Sequence, residues 1–114
     1  AEAAIDQATD ELIADAVRVD HYGAARIGLD QLRRAAAEIC GRLVSRVVQA
    51  VRGAAWPPRL ARVEGVVRAI CARKAGPRLS LGGTVLSLDE ASRTITVVRE
   101  VRASVGAGFV YPIA

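Results

Sequence analysis

The chain has no methionine, a single histidine (His21), and only four aromatic residues: Tyr22, Trp56, Phe109 and Tyr111. Each scarcity excludes a chemistry. Four scattered rings cannot form a platform on which unpaired bases stack. A lone histidine between acidic residues, with no serine or cysteine beside it, is a solvated turn residue rather than a general base. The only cysteines, Cys40 and Cys71, have neither zinc-ligand spacing nor the density of a secreted scaffold. Both stand in apolar helical patterns, so we expect buried free thiols in a reducing cytoplasm. No apolar run reaches the length of a membrane span, and no basic-then-apolar leader is present. No phosphate loop, dinucleotide fingerprint or metal-ligand spacing occurs. Starting without methionine on Ala1-Glu2-Ala3-Ala4-Ile5, which reads as mid-helix, the chain is expected to be a piece of a longer protein.

What is present is one domain's worth of ordinary protein. The 114 residues are 52% hydrophobic and 25% charged, and at this length roughly 65% of the unfolded surface can be buried. The charge is unevenly placed. Residues 1–30 hold two arginines against seven acids, while residues 31–114 hold fourteen basic residues against five acids. An acidic first element on a basic body implies either internal pairing or an anionic partner. Fifteen of the sixteen basic residues are arginine, Lys74 being the exception. Arginine's planar fork suits phosphate, although G- and C-rich coding gives the same bias.

The hydrophobic period orders the chain. Residues 1–18 read as an amphipathic helix through Ile5, Leu12, Ile13 and Ala16, its acids on other faces. His21-Tyr22-Gly23 breaks it, residues 25–29 are a short extended segment, and Asp30 stands where a helix N-cap belongs. Residues 31–52 form the longest helical pattern, with Leu32, Ala36, Ile39, Leu43 and Val47 on one stripe widened by Cys40, Val44 and Val51. The run Ala35-Ala36-Ala37 is a place for a bend or break, and Gly53 for a stop. A third helix is predicted from Pro58 to Lys74, with Leu60, Val63, Val67 and Ile70 inward and Gly76-Pro77 ending it. Trp56 is expected to anchor the core or a helix contact. The period then changes to two. Leu79 and Leu81 alternate with polar neighbours, Gly82-Gly83 makes a kink or bulge, and 84–88 and 94–98 are strands joined by a turn at 89–92. The fold class is α+β: three or four helices packed with a small antiparallel β-meander. Carboxylates of the first helix repeat on its solvent side, so we assign no catalytic and no metal-binding residue. The arginines remain. Arg42 and Arg46, four apart, and Arg59 and Arg62, three apart, project side by side at spacings that suit successive phosphates. With Arg73 they are the candidate contacts to nucleic acid, against the simpler reading of a solvated face paired to Glu38 and Glu64.

The order of strings adds a resemblance. Leu29-Asp30-Gln31-Leu32, Trp56-Pro57-Pro58-Arg59, Leu79-Ser80-Leu81-Gly82-Gly83-Thr84-Val85 and Val97-Val98-Arg99-Glu100 resemble, in that order, the region after the catalytic domain of bacterial tRNA(Ile)-lysidine synthetases. The resemblance covers residues 1–102, expected to be a substrate-binding (tRNA-binding) domain, with 103–114 a tail toward a further part. It implies an enzyme that, with ATP and Mg²⁺, adenylates cytidine 34 of an isoleucine tRNA and lets lysine displace the adenylate. That chemistry needs a Ser-Gly-Gly-x-Asp-Ser loop in an N-terminal catalytic domain, and no such string occurs here. The implied partners are tRNA and that missing domain; the implied place is the cytoplasm. This segment alone is expected to be inactive. The alternative is a structural or protein-interaction helical domain without nucleic-acid binding.

Overall fold

The computed structural model describes residues 2–74 and 76–100. The expected tail at 103–114 lies outside them. Four helices cover one face of a five-stranded antiparallel sheet: α1 Glu2–Ala16, β1 Val17–Val19, β2 Ala25–Gly28, α2 Leu29–Arg34, α3 Ala37–Arg52, α4 Leu60–Cys71, β3 Arg78–Leu81, β4 Thr84–Asp89 and β5 Thr94–Arg99. The strand order is β1-β2-β5-β4-β3, so the meander β3-β4-β5 is extended through β2 by the hairpin β1-β2. This is an α+β fold of helices on a small antiparallel sheet.

The core follows from the two periods. On the sheet, Ala25, Ile27, Leu81, Leu86, Ile95 and Val97 alternate onto one face and are buried there. Above them lie Leu32, Cys40, Leu43, Val44, Val47 and Val48 of α2 and α3, and Val63, Val67 and Ile70 of α4. Helix α1 lies across α3 through Thr9, Leu12, Ile13 and Ala16. Thr9 is fully buried because its hydroxyl donates back to the Ile5 carbonyl at 2.8 Å.

Several boundaries differ from the sequence reading. Helix α1 stops at Ala16 and Val17–Val19 is strand, because β-branched valines pair with Ala25–Ile27 and gain more there than another helical turn offers. The helical pattern over 31–52 is broken, as the alanine run allowed, into α2 and α3 at Ala35 and Ala36, whose ψ angles are 158° and 147°, and α2 begins earlier, at Leu29. Asp30 is not an N-cap. It is the second residue of α2, the cap position being Gly28, and it pairs instead with Arg93 at 3.1 Å. Helix α4 begins at Leu60 rather than Pro58, with Arg59 extended at ψ 135° in the cap position. It ends at Cys71 rather than Lys74. Arg73 adopts φ 59° and the Lys74 N–H reaches the Ala69 carbonyl at 2.9 Å, which closes the helix end before Gly76-Pro77. Gly82 and Gly83, with φ 59° and 83°, form a two-residue hairpin turn rather than a bulge.

Four side chains expected inside are outside, one of them Ala36 at the break between α2 and α3. Trp56 is 81% exposed, because the 54–59 connection passes over the surface instead of folding under a helix. Leu60 is 70% exposed: it continues the Val63–Val67–Ile70 stripe into the first turn of α4, where it lines the open α3–α4 groove. Cys71 is exposed as well, being the last residue of α4, while Cys40 is buried.

Candidate nucleic-acid interface

The arginines singled out in the sequence occupy three separate places. Arg42 and Arg46 project from α3 toward the acidic helix. Arg42 lies 3.2 Å from Asp6 and 3.7 Å from Glu38, and Arg46 pairs with Asp10 and lies 3.6 Å from Asp6. The acidity of residues 1–30 is thus partly spent inside the molecule, on two of the arginines of the body.

Arg59 and Arg62 stand on the opposite side of the α3–α4 groove. Arg59 occupies the cap position of α4 and is exposed. Arg62 extends toward the edge of the sheet, where its Nη2 donates to the Ser80 carbonyl at 3.4 Å. Neither has an acidic partner among the described residues. From Arg59 to Arg78 the chain holds Arg59, Arg62, Arg68, Arg73, Lys74 and Arg78 against the one acid Glu64. All six of these cations are exposed. The stretch Arg59–Arg78 therefore carries a net positive edge, on which Arg73 alone of the six has an acidic partner among the described residues, Glu90.

Arg73 sits at the far end of α4, 3.7 Å from Glu90. Glu90 in turn belongs to Arg33, a residue the sequence reading passed over. Arg33 Nη1 and Nη2 reach the two Glu90 oxygens at 3.1 and 2.8 Å, and its Nε donates to the Ile70 carbonyl at 3.1 Å. The fork to Glu90 raises the affinity of Arg33 for its proton and holds the Glu90 carboxyl below the usual carboxylate range. No local signal marks Arg33, since its partners lie 37 and 57 residues away. Asp89 is likewise held below its usual range, by the Ser92 hydroxyl and by the N–H groups of Ser92 and Ala91.

Between α3 and α4 runs a groove of about 1130 Å³ lined by Gly41, Ser45, Pro58, Leu60, Val63 and Val67, with Arg42, Arg46 and Arg68 along its rims. Among the described residues no set of His, Cys, Asp or Glu could hold a metal ion, and no helix is long and apolar enough to cross a membrane. The Gly82–Gly83 turn leads from one strand into the next, so no helix N-terminus faces a phosphate there. Comparison with known proteins finds no matching family model, no matching curated protein and no matching solved structure.

Proposed function

We propose that the chain is the tRNA-binding segment of a cytoplasmic tRNA(Ile)-lysidine synthetase, serving a catalytic domain that uses ATP and lysine to convert cytidine 34 to lysidine. The observation that carries this reading is the net positive edge of Arg59–Arg78, whose six cations are all exposed. Phosphate contacts of that kind position an RNA without reading its sequence. The aromatic-Pro-Pro-Arg string opening α4 and the Leu-Gly-Gly hairpin support the family resemblance. Of the arginine candidates, Arg59 and Arg62 are assigned the principal phosphate contacts and Arg73 a flanking one. Arg42 and Arg46 reach RNA in this reading only by exchanging their carboxylate partners for phosphate.

A salt titration of tRNA binding tests the reading. The 114-residue chain should lose affinity steeply as salt rises, and Arg59→Ala with Arg62→Ala should flatten the slope by about two units. Binding that is absent, or insensitive to salt, defeats it. The second reading, a protein-interaction domain, is favoured by one feature: the apolar α3–α4 groove with Leu60 and Trp56 exposed beside it. Affinity for a protein partner that persists at high salt, without tRNA binding, would select that reading.

A further inference from the structure

All four described helices lie on one face of the sheet, and no described element covers the opposite face. The strand register sets what that face displays. Arg18 of β1 stands opposite Arg26 of β2, Arg26 opposite Thr96 of β5, Thr96 opposite Ser87 of β4, and Ser87 opposite Arg78 of β3. One continuous row therefore crosses all five strands as Arg18, Arg26, Thr96, Ser87, Arg78. Thr94 stands in one flanking row of the same face, and Ser80, Val85 and Val98 stand in the other.

The row is polar and cationic, and its groups are largely uncommitted. Arg18 is tethered, its Nη1 donating to the carbonyls of Ala14 and Val17 at 3.0 and 2.9 Å. Arg26 and Arg78 are exposed and have no acidic partner among the described residues. The Thr96 and Ser87 hydroxyls between them have no protein hydrogen-bond partner there either. Among the described strand residues the one acid on this face, Asp89, sits at its edge with its carboxylate engaged by the Ala91 and Ser92 N–H groups. No aromatic ring stands on it among the described residues.

Resting on the tRNA-binding reading, we infer that this open face is a second RNA contact, one that takes a double-stranded arm through its minor groove. Three strand spacings separate Arg26 from Arg78, about 14 Å. Two long guanidinium stems at that separation straddle the shallow minor groove of an A-form helix and meet the phosphate ribbons on its two sides. The hydroxyls of Thr96 and Ser87 lie between them, where such a groove displays 2′-hydroxyls. Charge selects a polyanion for this face, the missing rings argue against single strands, and the central hydroxyls select RNA over DNA.

The test uses the whole 114-residue chain with three probes of equal length: an RNA duplex, the same sequence as a DNA duplex, and one RNA strand alone. The expected order is RNA duplex tightest, with Arg26→Ala plus Arg78→Ala flattening its salt slope by about two units and Arg26→Lys plus Arg78→Lys retaining that slope. Thr96→Val with Ser87→Ala should shrink the preference for RNA over DNA while leaving the salt slope in place. Thermal midpoints of all variants confirm folding, since Arg26 and Arg78 are exposed. Unchanged duplex affinity and slope in the Arg26/Arg78 alanine variant overturn the inference. If tRNA binding is still weakened by Arg59→Ala with Arg62→Ala, the tRNA-binding reading survives that failure. A parent chain that binds the two duplexes alike, or prefers the single strand, overturns the minor-groove assignment. A parent chain that binds neither tRNA nor duplex overturns both.

Discussion

Arg33 and Glu90, 57 residues apart in the chain, meet in a two-pronged ion pair that fastens α2 to the turn between β4 and β5. The Arg33 side chain is only 10% exposed and Glu90 55%, so the arginine is the enclosed partner. Its Nε bond to the Ile70 carbonyl ties in the end of α4 as well. Three elements are held by one guanidinium. Arg33→Ala should therefore lower the thermal midpoint more than Glu90→Gln does, because only the first also removes the Nε bond to the Ile70 carbonyl, which then keeps the Arg73 N–H at 3.2 Å.

The same pair sets an acid limit. Glu90 ionises more readily in the folded chain than the usual value of about 4.3. Its contribution to stability is present above that value and is lost as pH falls through the lower folded one. Asp89, shifted in the same direction, adds to the slope. Thermal midpoints recorded from pH 7 down to pH 2 should fall faster for the parent than for Glu90→Gln, and the two curves should converge at the acid end. Parallel curves would show that the pair does not couple to folding.

Leu43 is fully buried where α3 meets α4 and the sheet. Leu43→Ala should cost roughly 2–5 kcal/mol, read from urea denaturation. A cost below about 0.5 kcal/mol would place the centre of the core elsewhere.

The two thiols should behave differently. Burial pushes the Cys40 thiol up to about 11, and it donates to the Leu32 carbonyl at 2.8 Å, whereas Cys71 is exposed. Iodoacetamide at pH 8 should modify Cys71 within minutes and Cys40 only on unfolding, as mass spectrometry would show. Stability should also decline as pH rises from about 8.5, the usual thiol value, because the unfolded chain then releases a proton that the folded chain keeps.

Arg42 and Arg46 are expected to act on folding rather than on binding alone. Replacing both by alanine leaves Asp6 and Asp10 of α1 without their cations, at a cost of about 1–2 kcal/mol for the set of partly exposed pairs. Arg59→Ala with Arg62→Ala should leave the midpoint nearly unmoved. Amide exchange in α1 that is faster in the first variant than in the second would report the loosened helix directly.

Much of this organisation is visible in the residues themselves. The period of α3 and α4, the break at the alanine run, the stop at Gly53 and the strands of the meander follow from local chemistry. What escaped did so because it is decided at a distance. Val17–Val19 continue a helical pattern, and only the partner strand Ala25–Ile27 makes them extended. Trp56 and Leu60 are apolar residues whose exposure depends on which way a connection runs over the surface. In the candidate interface the spacings of Arg42–Arg46 and Arg59–Arg62 were legible. Their separation was not, because it is the docking of α1 that neutralises one pair and leaves the other bare.

The seam between β2 and β5 sets an order of events during synthesis. Ala25 pairs with Val97 and Ile27 with Ile95, so the second strand made waits for the last described strand before its inner edge is satisfied. Until residues 94–97 leave the ribosome, the hairpin β1-β2 has no neighbour on that edge and the helices have only part of their floor. Closing so long a loop late makes the final strand the step that commits the chain. A nascent chain stopped short of Thr94 should be a target for chaperones and proteases, however complete its helices are.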